Sequence, residues 1–135
     1  MLGRVTYDGF AEFWSSAAAA ESDPVRAKLL GELPKVVVSR TLHDVNWQNT
    51  TIIGTDTDAQ LRVVKEQTGK DIEVIGSARL TAYLIEAGLL DELRIMVSPV
   101  ILGRGIPAFP PRDRCRKTRQ ARVMPNLLTT LSVCD

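Results

Sequence analysis

The stretch DIEVIGSARLTAYLIEAGL, Asp71 to Leu89, changes its periodicity in the middle. Ile72, Val74 and Ile75 read as a short buried strand, whereas Leu80, Tyr83, Leu84 and Ala87 fall at helical spacing. Gly88 supplies the kind of residue on which helices commonly end. Between strand and helix stand Gly76, Ser77 and Ala78, with almost no side-chain bulk. So bare a corner has two explanations: tight packing, or a ligand that must come very close to the backbone. A strand feeding a helix is also the repeating unit of α/β proteins, and the flanking sequence repeats the alternation.

Upstream, the apolar residues of a first helix include Phe10 and Trp14, one turn apart. SSAAAA, Ser15 to Ala20, with Glu21 and Ser22, looks like a loop or a frayed helix end. Asp23-Pro24 starts a second helix, with Asp as N-cap and Pro in the first turn; it runs to about Leu30 and is closed by GELP. KVVVSR, Lys35 to Arg40, and TTIIG, Thr50 to Gly54, are strands. DTDAQLRVVKEQTG, Asp56 to Gly69, is a capped helix with Leu61, Val63 and Val64 facing inward and Gly69 as its stop. Downstream, DELRIMVSPVIL is a strand from Asp91 to Leu102, followed by the turn GRG. TRQARVMPNLLTTLSV, Thr118 to Val133, forms two strands around a Pro125-Asn126 turn. The alternation predicts one α/β domain over residues 1–135, a sandwich with mostly parallel pairings and a C-terminal antiparallel hairpin. A helix pair before the first strand is unusual for such a sheet, so the N-terminus reads as clipped.

Composition narrows the function classes. The 135 residues carry a formal net charge of +1, so the molecule as a whole has no electrostatic bias toward nucleic acid or membrane. The bias is local: RDRCRKTRQAR, residues 112–122, holds six basic groups against one acid. A solvated edge with snorkelling Arg side chains is the commoner meaning of such a run, an anion-binding patch the rarer one. Cys115 and Cys134 have no CxxC spacing and no histidine cluster nearby, so a metal site is not expected. With no membrane-length apolar run and no leader pattern, the expected location is the cytoplasm.

Three polar corners favour anions. In GRVTYDGF, Thr6 is a candidate N-cap with Gly3 and Arg4 just ahead, and a helix start offers unpaired N–H groups and a positive dipole end. Ser39, Arg40 and Thr41 end a buried strand, where α/β sheets bind ligands, and Arg grips phosphate bidentately. At the third corner Gly76 permits close approach, Ser77 and Ala78 leave the helix start uncrowded, and Arg79 adds charge. It is not GxGxxG, so the standard dinucleotide fingerprint is absent. Each corner also has a structural explanation. Together they match a ligand with a pyrophosphate and a separate monophosphate, and NADPH is such a molecule.

LGRVTYDGF, VVVSRT, VIGSARLTAYLIEAGLLDEL and VSPVILGRGIPAF resemble, in order, the dihydrofolate-reductase-like superfamily. The nearest branch is the C-terminal reductase domain of bifunctional riboflavin-biosynthesis deaminase-reductases and its stand-alone relatives. The resemblance implies an NADPH-dependent oxidoreductase acting on a pterin- or aminopyrimidine-type small molecule, as in riboflavin biosynthesis or folate reduction. A homodimer is expected, with no nucleic-acid or membrane partner. It implies Gly3, Arg4 and Thr6 against the cofactor phosphates and Ser39, Arg40 and Thr41 by the adenosine 2′-phosphate. The corner from Gly76 through Ser77, Ala78 and Arg79 to Leu80 would take the pyrophosphate, with a cis Gly76–Ser77 peptide. Phe10 and Trp14 would form the side of a substrate cleft, with core packing as the alternative.

The departures concern the substrate half. Relatives carry a first strand, a substrate loop, a helix and a second strand before the equivalent of Met1, so a misplaced start or a fragment is expected. Leu127 also stands where relatives usually place Gly. No catalytic acid stands out: His43 reads as a loop residue, and solvation explains Asp8 and Glu12. The rival readings are a catalytically silent NADPH-binding module and, ranked last, a nucleic-acid binder using the Arg-rich tail.

Overall fold

The computed structural model describes residues 1–67, 69–96, 101, 103–105, 118–123 and 128–133. The chain divides into two compact units, Met1–Leu80 and Thr81–Asp135.

The first unit begins with a two-residue strand, β1 (Leu2–Gly3), that the sequence pattern does not reveal. It is followed by α1 (Arg4–Trp14), α2 (Ala17–Ser22) and α3 (Pro24–Glu32). Strands β2 (Lys35–Val38) and β3 (Thr50–Ile53) and helix α4 (Thr57–Glu66) complete it. The sheet order is β1-β2-β3, all parallel, with Leu2 opposite Val37 and Val37 opposite Ile52. SSAAAA is not a loop: the Ser16 hydroxyl accepts the Ala19 N–H at 3.2 Å, and the alanines, the best helix formers, continue as α2. Asp23 caps α3 as expected, its carboxylate accepting the Arg26 N–H at 2.9 Å. In α4 Leu61 is buried and Val64 half-buried, but Val63 points to solvent. That helix stops at Glu66, ahead of Gly69, and Asp56 at its start makes no side-chain cap.

The core of this unit is Leu2, Tyr7, Val37 and Trp47, against which Phe10, Ala11, Trp14, Leu30 and Ile75 pack. Tyr7, Phe10, Ala11 and Trp14 follow the helical i, i+3, i+4, i+7 rule, which turns one face of α1 onto the sheet. The Tyr7 hydroxyl accepts the N–H groups of Asn46 and Trp47, which ties the long loop after β2 to α1.

The expected strand at Ile72–Ile75 does not form as an element. The Met1 nitrogen donates to the Glu73 carbonyl at 2.6 Å, and the Ile75 N–H reaches the Met1 carbonyl at 3.4 Å. Two residues of β1 are too few to extend this ladder, and Ile72 stays exposed. Even so, residues 73–75 lie along the side of β1 opposite β2.

α5 (Ala78–Glu86) follows the small-residue corner. Its C-terminus is a Schellman motif: Leu89 N–H bonds to the Leu84 carbonyl and Gly88 N–H to that of Ile85, with Gly88 at φ 65°. In the second unit β4 (Glu92–Met96), β5 (Thr118–Val123) and β6 (Leu128–Val133) form an antiparallel sheet in the order β4-β6-β5. The predicted hairpin is thus present as β5 and β6. Its Pro125-Asn126 turn, Leu127, Cys115, Cys134 and most of the basic run lie outside the described residues. No helix among the described residues is long and apolar enough to cross a membrane.

Candidate functional site

β1 has β2 on one side and residues 73–75 on the other, and all three run parallel. The chain leaves β1 toward β2 and returns on the far side, so the order of neighbours reverses at β1. In open α/β sheets ligands bind at such a point, outside the carboxyl ends of the strands. Here those ends are Gly3, leading into α1, and Ile75, leading into α5.

Gly76 and Ser77 make the corner with two successive positive φ angles, 57° and 55°. That reversal needs no cis bond, and the Gly76–Ser77 peptide is trans, correcting the expectation from the resemblance. A left-handed Ser is strained by roughly 1–2 kcal/mol, and side-chain bonds hold it. Its hydroxyl accepts the Gly3 N–H at 2.8 Å and lies 3.0 Å from both the Thr6 hydroxyl and the Ile75 carbonyl. Gly3, Thr6, Gly76 and Ser77 are therefore one cluster. Thr6 is not the N-cap: Gly3 is, and it provides no side-chain cap. The helix begins one turn earlier than predicted because β1 runs straight into it, leaving Thr6 free to meet Ser77.

The loop after β2 is joined to this cluster through Arg4. Its guanidinium donates to the Thr41 hydroxyl at 2.6 Å and carbonyl at 3.0 Å, and lies 3.5 Å from the Asp8 carboxylate. Ser39 is buried and spends both acceptor positions on the Thr41 and Leu42 N–H groups, so it shapes the turn. The turn lies against Gly54, where a Cβ would stand 3.0 Å from the Ser39 carbonyl oxygen. Arg40 and Arg79 are exposed and have no hydrogen-bond or ion-pair partner among the described residues. Ala78 is exposed at the start of α5, and Leu80 is buried beneath it.

Phe10 and Trp14 are half-buried against the core, and the Arg26 guanidinium lies 5.8 Å from the Trp14 ring centroid. Packing accounts for both. His43 is exposed in the loop after β2. Among the described residues no group of three His, Cys, Asp or Glu side chains is arranged to hold a metal.

Lys35, which sequence reasoning passed over, is the notable buried charge. Its ammonium donates to the carbonyls of Leu30, Gly31 and Leu33 at 2.8–3.1 Å and sits 4.5 Å from the Trp47 ring centroid. Burial holds its pKa below the ordinary 10.5. The partners are backbone carbonyls, which carry no sequence signal.

A family model described as the RibD C-terminal domain matches residues 1–125. The chain belongs to that family. A curated relative, the uncharacterized protein YyaP of Bacillus subtilis (strain 168), is 30% identical over 109 residues, 81% of this chain and 57% of that protein. The chain thus spans little more than half the length of that relative. A crystal structure from Shewanella sp. PV-4, described as a candidate riboflavin biosynthesis protein, aligns with a TM-score of 0.65 at 18% identity. The alignment covers 99% of this chain and 72% of the other, and shows that the α/β fold is the dihydrofolate-reductase-like one expected from the sequence.

Proposed function

We propose that the chain binds NADPH along the carboxyl rim of its parallel sheet and serves as a reductase of a pterin- or aminopyrimidine-type substrate. The observation that carries this reading is a cation without a structural duty: Arg40 stands at the end of β2, exposed and unpartnered among the described residues.

The residues of the rim fit a nucleotide with two separate anionic groups. α1 starts without a side-chain cap, so the N–H groups of its first turn and the positive end of its dipole remain for an anion. Gly76 is exposed and side-chain-free beside Thr6, which lets a pyrophosphate approach the backbone. Arg79 adds charge there, while Arg40 supplies a bidentate grip for a 2′-phosphate about the loop that Ser39 shapes. Arg4 braces that loop to α1 through Thr41, holding the two anion positions in one frame. When bound, NADPH supplies the hydride; the protein supplies binding, orientation and exclusion of water.

The direct test is Arg40→Ala. NADPH affinity should fall at least about tenfold, about 1.4 kcal/mol, with NADH affinity little changed. Equal losses for both nucleotides would refute the 2′-phosphate assignment. Oxidation of NADPH in the presence of candidate pterins and aminopyrimidines then separates reductase from silent binding module: tight binding without turnover selects the module.

A further inference from the structure

At the small-residue corner the ladder between β1 and residues 73–75 opens step by step. In a parallel pair that joins Met1 to Val74, successive bonds run from Met1 N to Glu73 O, from Ile75 N to Met1 O and from Gly3 N to Ile75 O. The first is 2.6 Å and the second 3.4 Å. The third is not made. In its place stands the Ser77 hydroxyl, 2.8 Å from the Gly3 nitrogen and 3.0 Å from the Ile75 oxygen. One side-chain oxygen has entered the ladder where a direct N–H···O=C bond belongs.

We infer that Ser77 is a positioning residue whose hydroxyl wedges β1 and the 73–75 segment apart and so sets the width of the crevice at their carboxyl ends. The geometry explains why a non-glycine residue is tolerated at φ 55°. The left-handed backbone is what aims the hydroxyl back between the strands, and the bond to Thr6 ties it to the first turn of α1. A hydroxyl can do this because it accepts from one side and donates to the other, relaying the ladder bond across a wider gap. A glycine in its place would relieve the backbone strain and let the two strands close. The wedge acts on a ligand only through the backbone groups of Gly3 and Gly76, whose separation it fixes. Its bearing on nucleotide affinity rests on the NADPH reading above, whereas its bearing on the strands does not.

The experiment uses the full chain labelled with 15N and 13C. In the wild type no trans-hydrogen-bond scalar coupling is expected between the Gly3 nitrogen and the Ile75 carbonyl carbon. In Ser77→Gly that coupling should appear, and NADPH affinity should fall at least tenfold. A Gly3–Ile75 coupling already present in the wild type, or still absent in Ser77→Gly, overturns the wedge; its appearance in Ser77→Gly with NADPH affinity unchanged overturns the claim that the wedge sets the ligand crevice. If the wild type binds no NADPH, the cofactor reading fails on its own, and the coupling pair still decides whether the hydroxyl separates the strands. Should Ser77→Gly fail to fold, Ser77→Ala takes its place: with the hydroxyl gone the Gly3–Ile75 coupling should appear and NADPH affinity should fall, and a coupling that stays absent in Ser77→Ala overturns the proposal.

Discussion

The two ends of β2 treat a basic side chain in opposite ways. At the amino end Lys35 is buried and every proton of its ammonium has a carbonyl. With Asn49, whose amide donates to Gly31 and Glu32, and the Leu33 N–H bonded to Leu29, it satisfies the last four carbonyls of α3. At the carboxyl end α1 begins without a side-chain cap, and Arg40 has no partner among the described residues. The difference teaches how to tell a charge that builds the fold from one held in reserve. Both are basic and only four residues, Val36 to Ser39, separate them, but only one has its hydrogen-bonding capacity consumed.

That contrast can be broken by a double dissociation. The largest effect is expected for Lys35→Met, which leaves buried carbonyls at the end of α3 without donors. Urea denaturation should show a loss of about 2–3 kcal/mol. A variant as stable as the wild type would mean that water replaces the ammonium and that the amino end is no more built than the carboxyl end. Arg40→Ala should do the reverse, changing stability by less than about 0.5 kcal/mol while costing the NADPH affinity described above. A clear drop in its melting temperature would expose a structural duty for Arg40 and erase the distinction.

Gly76→Ala sharpens the comparison at the rim itself. A Cβ there would meet Thr6 at 3.6 Å, an ordinary contact, so the cost is conformational, about 1 kcal/mol for an L-residue at φ 57°. A thermal melt that fails to detect it would place that backbone elsewhere in solution. The smallest effect is the pH dependence of Lys35. Its folded-state pKa lies below 10.5, so between that lowered value and 10.5 the unfolded chain holds more protons. Stability should therefore gain a rising contribution as pH climbs through this window, and Lys35→Met should lack it. A contribution that falls with pH would mean the three carbonyls outweigh burial.

Much of this was legible in advance, and the parts that were not share a cause. β2, β3, α4 and α5 announce themselves through β-branched runs and helical periodicity, because each buries a repeating face. The corner at Gly76 was visible as an absence of side-chain bulk. β1 was not, since two residues cannot show a period. Missing β1, the sequence pattern placed Thr6 at the helix start and cast Ile72–Ile75 as a full strand. The bonds of Ser77, Arg4 and Lys35 were also invisible, because their partners are backbone atoms or hydroxyls between two and 74 residues away. Candidate rim residues could be named from the chain; which of them brace the rim and which have no partner among the described residues could not.

Gly3 closes the sheet, opens α1 and donates to Ser77, three duties within a single residue. No slack exists at that joint. One extra residue inserted there would rotate Arg4 and Thr6 about 100° around the helix axis or push Leu2 out of its place opposite Val37. The loop between β2 and β3, eleven residues long and pinned by the Tyr7 hydroxyl, has room to absorb such a change at its exposed positions. Evolution and engineering alike are therefore free to lengthen the molecule on one flank of this crevice and are denied it on the other.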